Sequence, residues 1–217
     1  MDKPMAGRMR LYYDCTMMPR KTCFVARHID APVDFVRVHL GKGENRAPAF
    51  RALNPNGKVP VLVDGDVTLW ESDAIMVHIA NRVGSDIWPA APRDQVEVLR
   101  WLSWAAHEFN PQAGTLYFEH VIRSDFGLGL VDVAVEAAAL KRVRKGLAVL
   151  EAHLADRDML VGSGLTVADV AVAITFPYAD RAGIPLADFP AVERWHERLA
   201  QNDAWLAPFP PVPASAA

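Results

Sequence analysis

The chain reads as an α+β protein of two domains: an N-terminal βαβαββα domain over 9–83, then a linker at 84–93 and an all-helical bundle over 94–207. Three observations predict this. Alternating and β-rich runs occur only in the first eighty or so residues, and helical repeats lie between them. Gly84, Pro89 and Pro92 then break the pattern. From Asp94 on, apolar residues recur at helical spacing and no strand pattern returns.

Taken in order, Met1 to Arg8 reads as a disordered lead, and MRLYY (Met9–Tyr13) as the first strand. Asp14 to Arg20 is expected to be a loop and Lys21 to Ile29 a helix, with Pro19 suited to its first turn. Val33 to Leu40 alternates, with Val36, Val38 and Leu40 on one face. A right-handed parallel crossover should join the two strands. A polar loop follows to Asn45, then a short helix at 46–53. Val59 to Val63 and Val67 to Trp70 flank Asp64-Gly65, a hairpin signal. Glu71-Ser72-Asp73 starts a helix in which Ala74, Ile75, His78 and Ile79 recur. In the second half a helix is expected over Asp94–Phe109, with Leu99, Leu102, Ala106 and Phe109 on one stripe. Asn110-Pro111 should break it before another helix at 117–124. Further helices are expected at 131–154, 167–180 and 190–202. Thr166-Val-Ala-Asp169 has the form of a capping box, with Asp in the place of Glu. The apolar 167–180 helix should be central, and the tail from Pro208 loose.

Composition excludes several classes. The 217 residues carry a net charge of −3 and half are apolar, with a pI near 6.2. Nothing favours nucleic acid or an anionic membrane. Cys15 and Cys23 form neither a disulfide framework nor a metal site. MDKPMAGRMR has no apolar core, so it does not read as a signal peptide. No run is long enough to span a membrane as a helix. A cytoplasmic protein is expected.

The most informative stretch is Asn54 to Ala80, NPNGKVPVLVDGDVTLWESDAIMVHIA. Pro60, at the start of a strand, has no N–H for the ladder. A cis Val59–Pro60 bond would place it in a tight turn and aim the Val59 N–H and C=O at an extended peptide. Glu71-Ser72 adds helix-start N–H groups and a hydroxyl suited to a carboxylate. Asn54-Pro-Asn-Gly-Lys-Val-Pro60 and Glu71-Ser-Asp-Ala-Ile75, at this spacing, resemble the thioredoxin-like glutathione site of the glutathione transferase superfamily. The resemblance runs from Met9 to about Trp205 and is looser in the helical half. There the Thr166-x-x-Asp169 box and Phe189–Asp203 sit where the family has similar segments.

The resemblance implies glutathione as co-substrate, no metal, and a small hydrophobic electrophile. Glutathione's thiol is mostly protonated near neutral pH, whereas the thiolate is the nucleophile. A helix N-terminus and a hydroxyl donor beside the sulfur would favour it. Alignment through Lys21 and Asp30-Ala-Pro32 puts Thr16 at the family's Ser/Cys position, with Met17 replacing the usual proline. A loop shifted by one residue would offer Cys15 instead, for disulfide exchange. Tyr12 and Tyr13 lie near where other members carry a tyrosine. For binding, the resemblance points to Val59 and Pro60, then Glu71 and Ser72, with Lys58 reaching the glycine carboxylate and Asn45 a weaker ligand. Asp73 stands where some members have arginine. Trp104, His107 and Tyr117 are the named candidates for an aromatic wall against the electrophile. A homodimer is implied. Glutathione-dependent peroxide or disulfide reduction, and a non-catalytic binding role on the same fold, are the alternatives.

Overall fold

A computed structural model describes residues 7–211. The lead expected to be disordered lies mostly outside them, as does the end of the tail. The chain forms two compact units. The first runs to Ser85 and takes back the segment from Asp203, which the sequence had assigned to the helical domain; the second spans Asp86–Asn202.

The first unit holds β1 (Met9–Tyr13), α1 (Met17–His28), β2 (Val33–Arg37), α2 (Pro48–Leu53), β3 (Val61–Asp64), β4 (Val67–Trp70) and α3 (Ser72–Val83). The strand order is β2-β1-β3-β4. β1 runs parallel to β2 and antiparallel to β3. Gly65, at φ +61°, opens the two-residue turn into β4, and Asp64 pairs with Val67 across it. Met9 and Leu11 of β1, Leu62 of β3, Phe24 of α1 and Ile75, Met76 and Ile79 of α3 are the core. Ala74, placed by periodicity on that helix's apolar face, is exposed.

Several boundaries differ from the expectation, among them that of β3, which begins at Val61 rather than Val59. α1 begins at Met17, not Lys21. Pro19 does not delay it, because first-turn N–H groups have no partner inside the helix to lose. β2 ends at Arg37, since the chain turns there into 3₁₀ turns at Leu40–Lys42 and Glu44–Arg46. α2 starts at Pro48, whose fixed φ suits the first helical position.

The chain's end is not loose as far as it is described. α11 (Asp203–Leu206) packs on α1. Trp205 meets Phe24 edge-on at 5.2 Å, and its carbonyl accepts from Arg20. Phe209 stacks on Tyr13 at 6.1 Å, and its carbonyl accepts from Arg27 at 3.0 Å.

In the second unit the expected break at Asn110-Pro111 is absent. α4 (Pro92–Trp104), α5 (Asn110–Tyr117) and α6 (Arg123–Phe126) follow one another through π turns at Ala105–Phe109 and Phe118–Ile122. Pro111 comes directly after a π turn, where the ladder has already changed register, so the helix continues. Its buried stripe is Val98, Trp101, Leu102, Ala105 and Phe109. Leu99 and Ala106, expected inside, face out. α7 (Val133–Leu154) starts at Asp132, which caps it by accepting from the Ala134 and Val135 N–H groups. At Gly146 an added Cβ would lie 2.4 Å from the Phe109 ring, so this crossing requires glycine.

The 167–180 segment is central, as its apolar run implies. It is not one helix: α8 (Val167–Val172) passes through a 3₁₀ stretch containing Pro177 into α9 (Ala179–Ala182). α10 (Pro190–Ala200) closes the unit. The capping box at the start of α8 is formed. Asp169 is fully buried and accepts from the Thr166 N–H at 2.9 Å, the Thr166 hydroxyl at 2.9 Å, the Leu160 N–H at 2.8 Å and Trp195 Nε1 at 3.0 Å. One carboxylate thus ties three segments together.

Candidate active site

The sheet register brings the conspicuous residues of the first unit to one edge. Tyr12 pairs with Val61, and Val61 with Trp70. The end of β1, the start of β3 and the end of β4 therefore lie side by side. From that edge leave the Asp14–Thr16 loop, the Val59-Pro60 turn and the Glu71-Ser72 helix start.

Val59–Pro60 is cis. Among the described residues neither the Val59 N–H nor its C=O takes part in a hydrogen bond. The turn before it is fixed from inside. Asn54 is buried, donates to the Lys58 carbonyl at 2.7 Å and accepts from the Asn56 N–H at 3.0 Å. Asn45 donates to the Gly57 carbonyl at 2.8 Å. Its amide nitrogen is spent on the loop, which gives it a supporting place rather than a free donor's. Gly57 needs its φ of +61°, and a Cβ there would crowd the Asn45 carbonyl at 3.3 Å. Asn54 opens the stretch that resembles the family's glutathione site, and its burial is not visible in so turn-like a sequence. Lys58 is exposed.

Glu71 caps α3 at φ +75°, a backbone conformation rare for a residue with a side chain. Its side chain is exposed. Ser72 is buried, and its hydroxyl faces the Met18 sulfur at 3.9 Å. Asp73 does not await an anion's counter-charge: it pairs with the buried Lys21 at 2.8 Å. Met18–Ser72 and Lys21–Asp73 bring the first turns of α1 and α3 together.

Thr16 is the N-cap of α1, exposed, with φ −127° and ψ 168° and no side-chain cap bond. Part of the reason is in the sequence. An N-cap hydroxyl normally accepts from the N–H two or three residues on. The third residue of α1 is Pro19, which has no N–H. The helix also has no acidic side chain in its first turn, so its N-terminal partial positive charge is uncompensated from within.

Cys15 is exposed, but its surroundings do not activate it. Partial burial raises its pKa above the ordinary 9.0; Arg37 lowers it and Asp14 raises it further. Tyr13 is buried against Phe35 and Phe209, and burial, then Cys23 and Cys15, raise its phenol above 10.0. It stays a neutral phenol near pH 7. Cys23 is buried in α1, and its thiol is pushed far up by burial. No group of three or more metal-ligating side chains occurs among the described residues.

In the second unit a cavity of about 530 Å³ is lined by Trp104, His107, Gln112, Arg142, Lys145 and Val149 among others. Trp104 stacks on Phe109 at 5.3 Å, and His107 Nδ1 meets the Ser103 carbonyl at 2.8 Å. Tyr117 is not part of this lining; its ring lies 4.8 Å from that of Tyr178. No helix of the described residues is long and apolar enough to cross a membrane.

Known proteins share this fold. The glutathione S-transferase N-terminal domain matches residues 10–81, and the C-terminal domain of the same family matches residues 132–198. Glutathione S-transferase 3 of Zea mays is 38% identical over 197 residues, 85% of this chain and 87% of the relative. The disulfide-bond oxidoreductase YfcG of Escherichia coli is 28% identical, over 89% of this chain and 91% of its own. Among solved structures, glutathione S-transferase III in its apo form is 31% identical, with a TM-score of 0.82 over 95% of this chain and 100% of that one. With its four-stranded mixed sheet followed by helices, this chain belongs to the glutathione S-transferase family.

Proposed function

We propose that this protein holds glutathione along the edge formed by Thr16, Val59 and Glu71-Ser72, stabilises its thiolate, and adds the sulfur to a small hydrophobic electrophile. The observation that carries the reading is the Thr16 hydroxyl, exposed and outside any cap bond at the N-terminus of a twelve-residue helix. Such a hydroxyl can donate to a thiolate while the helix end favours negative charge there. The thiol proton leaves to solvent, a carbon–sulfur bond forms, and the electrophile either accepts the added pair or releases a leaving group.

The other contacts follow from chemistry. The Val59 N–H and C=O pair with the cysteinyl backbone in the manner of an added strand. The Glu71 carboxylate takes the γ-glutamyl ammonium, and Ser72 with the α3 N-terminus its carboxylate. Lys58 reaches the glycine carboxylate. Asn45 acts through the loop it braces. Trp104 and His107, as walls of one cavity, remain the proposed contacts for an apolar, aromatic electrophile; Tyr117 stays a weaker one. A homodimer is part of the proposal.

Titration with glutathione, followed by thiolate absorbance, tests the reading. Thiolate formed in the wild type and lost in Thr16→Ala supports it; no binding overturns it. One observation favours a second reading, disulfide or peroxide reduction: the likeness to a protein named as a disulfide-bond oxidoreductase. Turnover of peroxide or disulfide without conjugation would select it. Loss of thiol transfer in Cys15→Ser would then assign the cysteine. Binding with neither activity would select a non-catalytic role.

A further inference from the structure

We infer that Asp14 is a positioning residue for this thiol chemistry: it folds the β1–α1 loop around its own carbonyl and carboxylate, so setting Thr16, and Arg37 beside it offsets the charge it brings. The inference rests on the glutathione reading above.

Every oxygen of Asp14 is engaged. Its carbonyl accepts from the Thr16 N–H at 2.7 Å. Oδ1 accepts from the Cys15 N–H at 2.9 Å and Arg37 Nε at 3.1 Å, and Oδ2 from the Leu40 N–H at 3.0 Å. Three separate pieces of chain therefore meet on one side chain: the loop itself, the end of β2 and the turn after it. The donors outweigh partial burial and hold the carboxyl below its ordinary value, so it is ionised at neutral pH. Without this anchor the two residues between Asp14 and α1 would have only the helix to orient them.

The anchor is an anion, and it stands two residues from the hydroxyl meant to favour a thiolate. A like charge disfavours the thiolate; the guanidinium counters it. Cys15, in the same loop, senses both: Arg37 lowers its thiol pKa and Asp14 raises it. Tyr13 from β1 and Cys23 from α1 also face this loop, and both are neutral near pH 7. Glu44, on the following turn, accepts from the His39 N–H. Lys21 and Asp73 neutralise each other. Asp14 and Arg37 are thus the charged pair that sets the loop's field.

The pair makes a test with two signs. Asp14→Asn removes the charge and keeps one of the two acceptor oxygens, an NH2 group taking the place of the other. Arg37→Gln leaves the carboxylate uncompensated. The pKa of bound glutathione, read from thiolate absorbance against pH in the full chain, should fall by about 0.5–1 unit in Asp14→Asn and rise by a similar amount in Arg37→Gln. Asp14→Ala, which also removes the acceptors, should weaken glutathione binding about tenfold. Arg37→Lys, which retains the charge, should restore the wild-type pKa and serves if Arg37→Gln does not fold. Shifts of the same sign, or weaker binding with an unmoved pKa, would overturn the inference while leaving the glutathione reading intact. A wild type that forms no thiolate would overturn both.

Discussion

Two threonines with almost the same backbone sit at helix starts in the two units. Thr16 has φ −127° and ψ 168°, Thr166 has φ −124° and ψ 168°. Thr166 is buried, and its hydroxyl and N–H are both bound by Asp169. Thr16 is exposed and caps nothing. The difference lies three residues downstream. Asp169 supplies an N–H and a carboxylate; Pro19 supplies neither. The same residue in the same conformation is thus a structural node in one helix and an uncommitted donor in the other. A cap that its own helix does not use is what a ligand can use.

The comparison predicts a double dissociation, and its effects should be the largest. Asp169→Ala strands the donors that meet its carboxylate and should cost about 3–5 kcal/mol of stability, measured by denaturant unfolding. Activity per folded molecule should hardly change. Thr16→Ala breaks no cap, so unfolding should move by no more than about 0.5 kcal/mol. Its conjugation kcat/KM should nevertheless fall about 100-fold. If Thr16→Ala proves as destabilising as Asp169→Ala, the two caps are alike and the reading of Thr16 fails.

A sharper and smaller test edits the difference itself. Pro19→Ala returns an N–H to the third position of α1. Thr16 can then cap its own helix, worth about 1 kcal/mol. That bond takes the hydroxyl as acceptor and leaves its O–H free to donate to a thiolate, so turnover should stay within about twofold of the wild type while the helix gains protection in hydrogen exchange. A large loss of turnover would mean that Thr16 serves the thiolate otherwise than as an O–H donor.

How much of this was legible in the sequence follows from the same physics. The cis Val59-Pro60 turn, the hairpin and the α8 capping box are written in neighbouring residues, and local signals found them. Thr16 came from alignment with a family rather than from its own surroundings. Its free hydroxyl was legible too, in Pro19, but the helix had been started at Lys21, so Pro19 was not seen as the third residue. Asp14 and Asn54 act on chain 26 and four residues away, respectively. Both are polar residues in turn-like sequence, where periodicity says nothing about burial. The continuous helix through Pro111 was missed because proline reads as a stop. Only the π turn before it shows how the ladder accommodates the ring.

The smallest effect concerns Cys15, the thiol next to Thr16. It is exposed, yet burial of its surroundings and the Asp14 charge hold its pKa above 9.0 against the pull of Arg37. At neutral pH it should be almost wholly protonated, and alkylation by iodoacetamide should be slow. The rate should climb tenfold per pH unit up to and beyond pH 9 before levelling, because only the thiolate reacts. Cys23, buried with its thiol pushed further up, should stay unmodified in the folded protein. A plateau near pH 7 would show a site that activates the cysteine rather than the hydroxyl. The weight would then pass from conjugation to disulfide exchange.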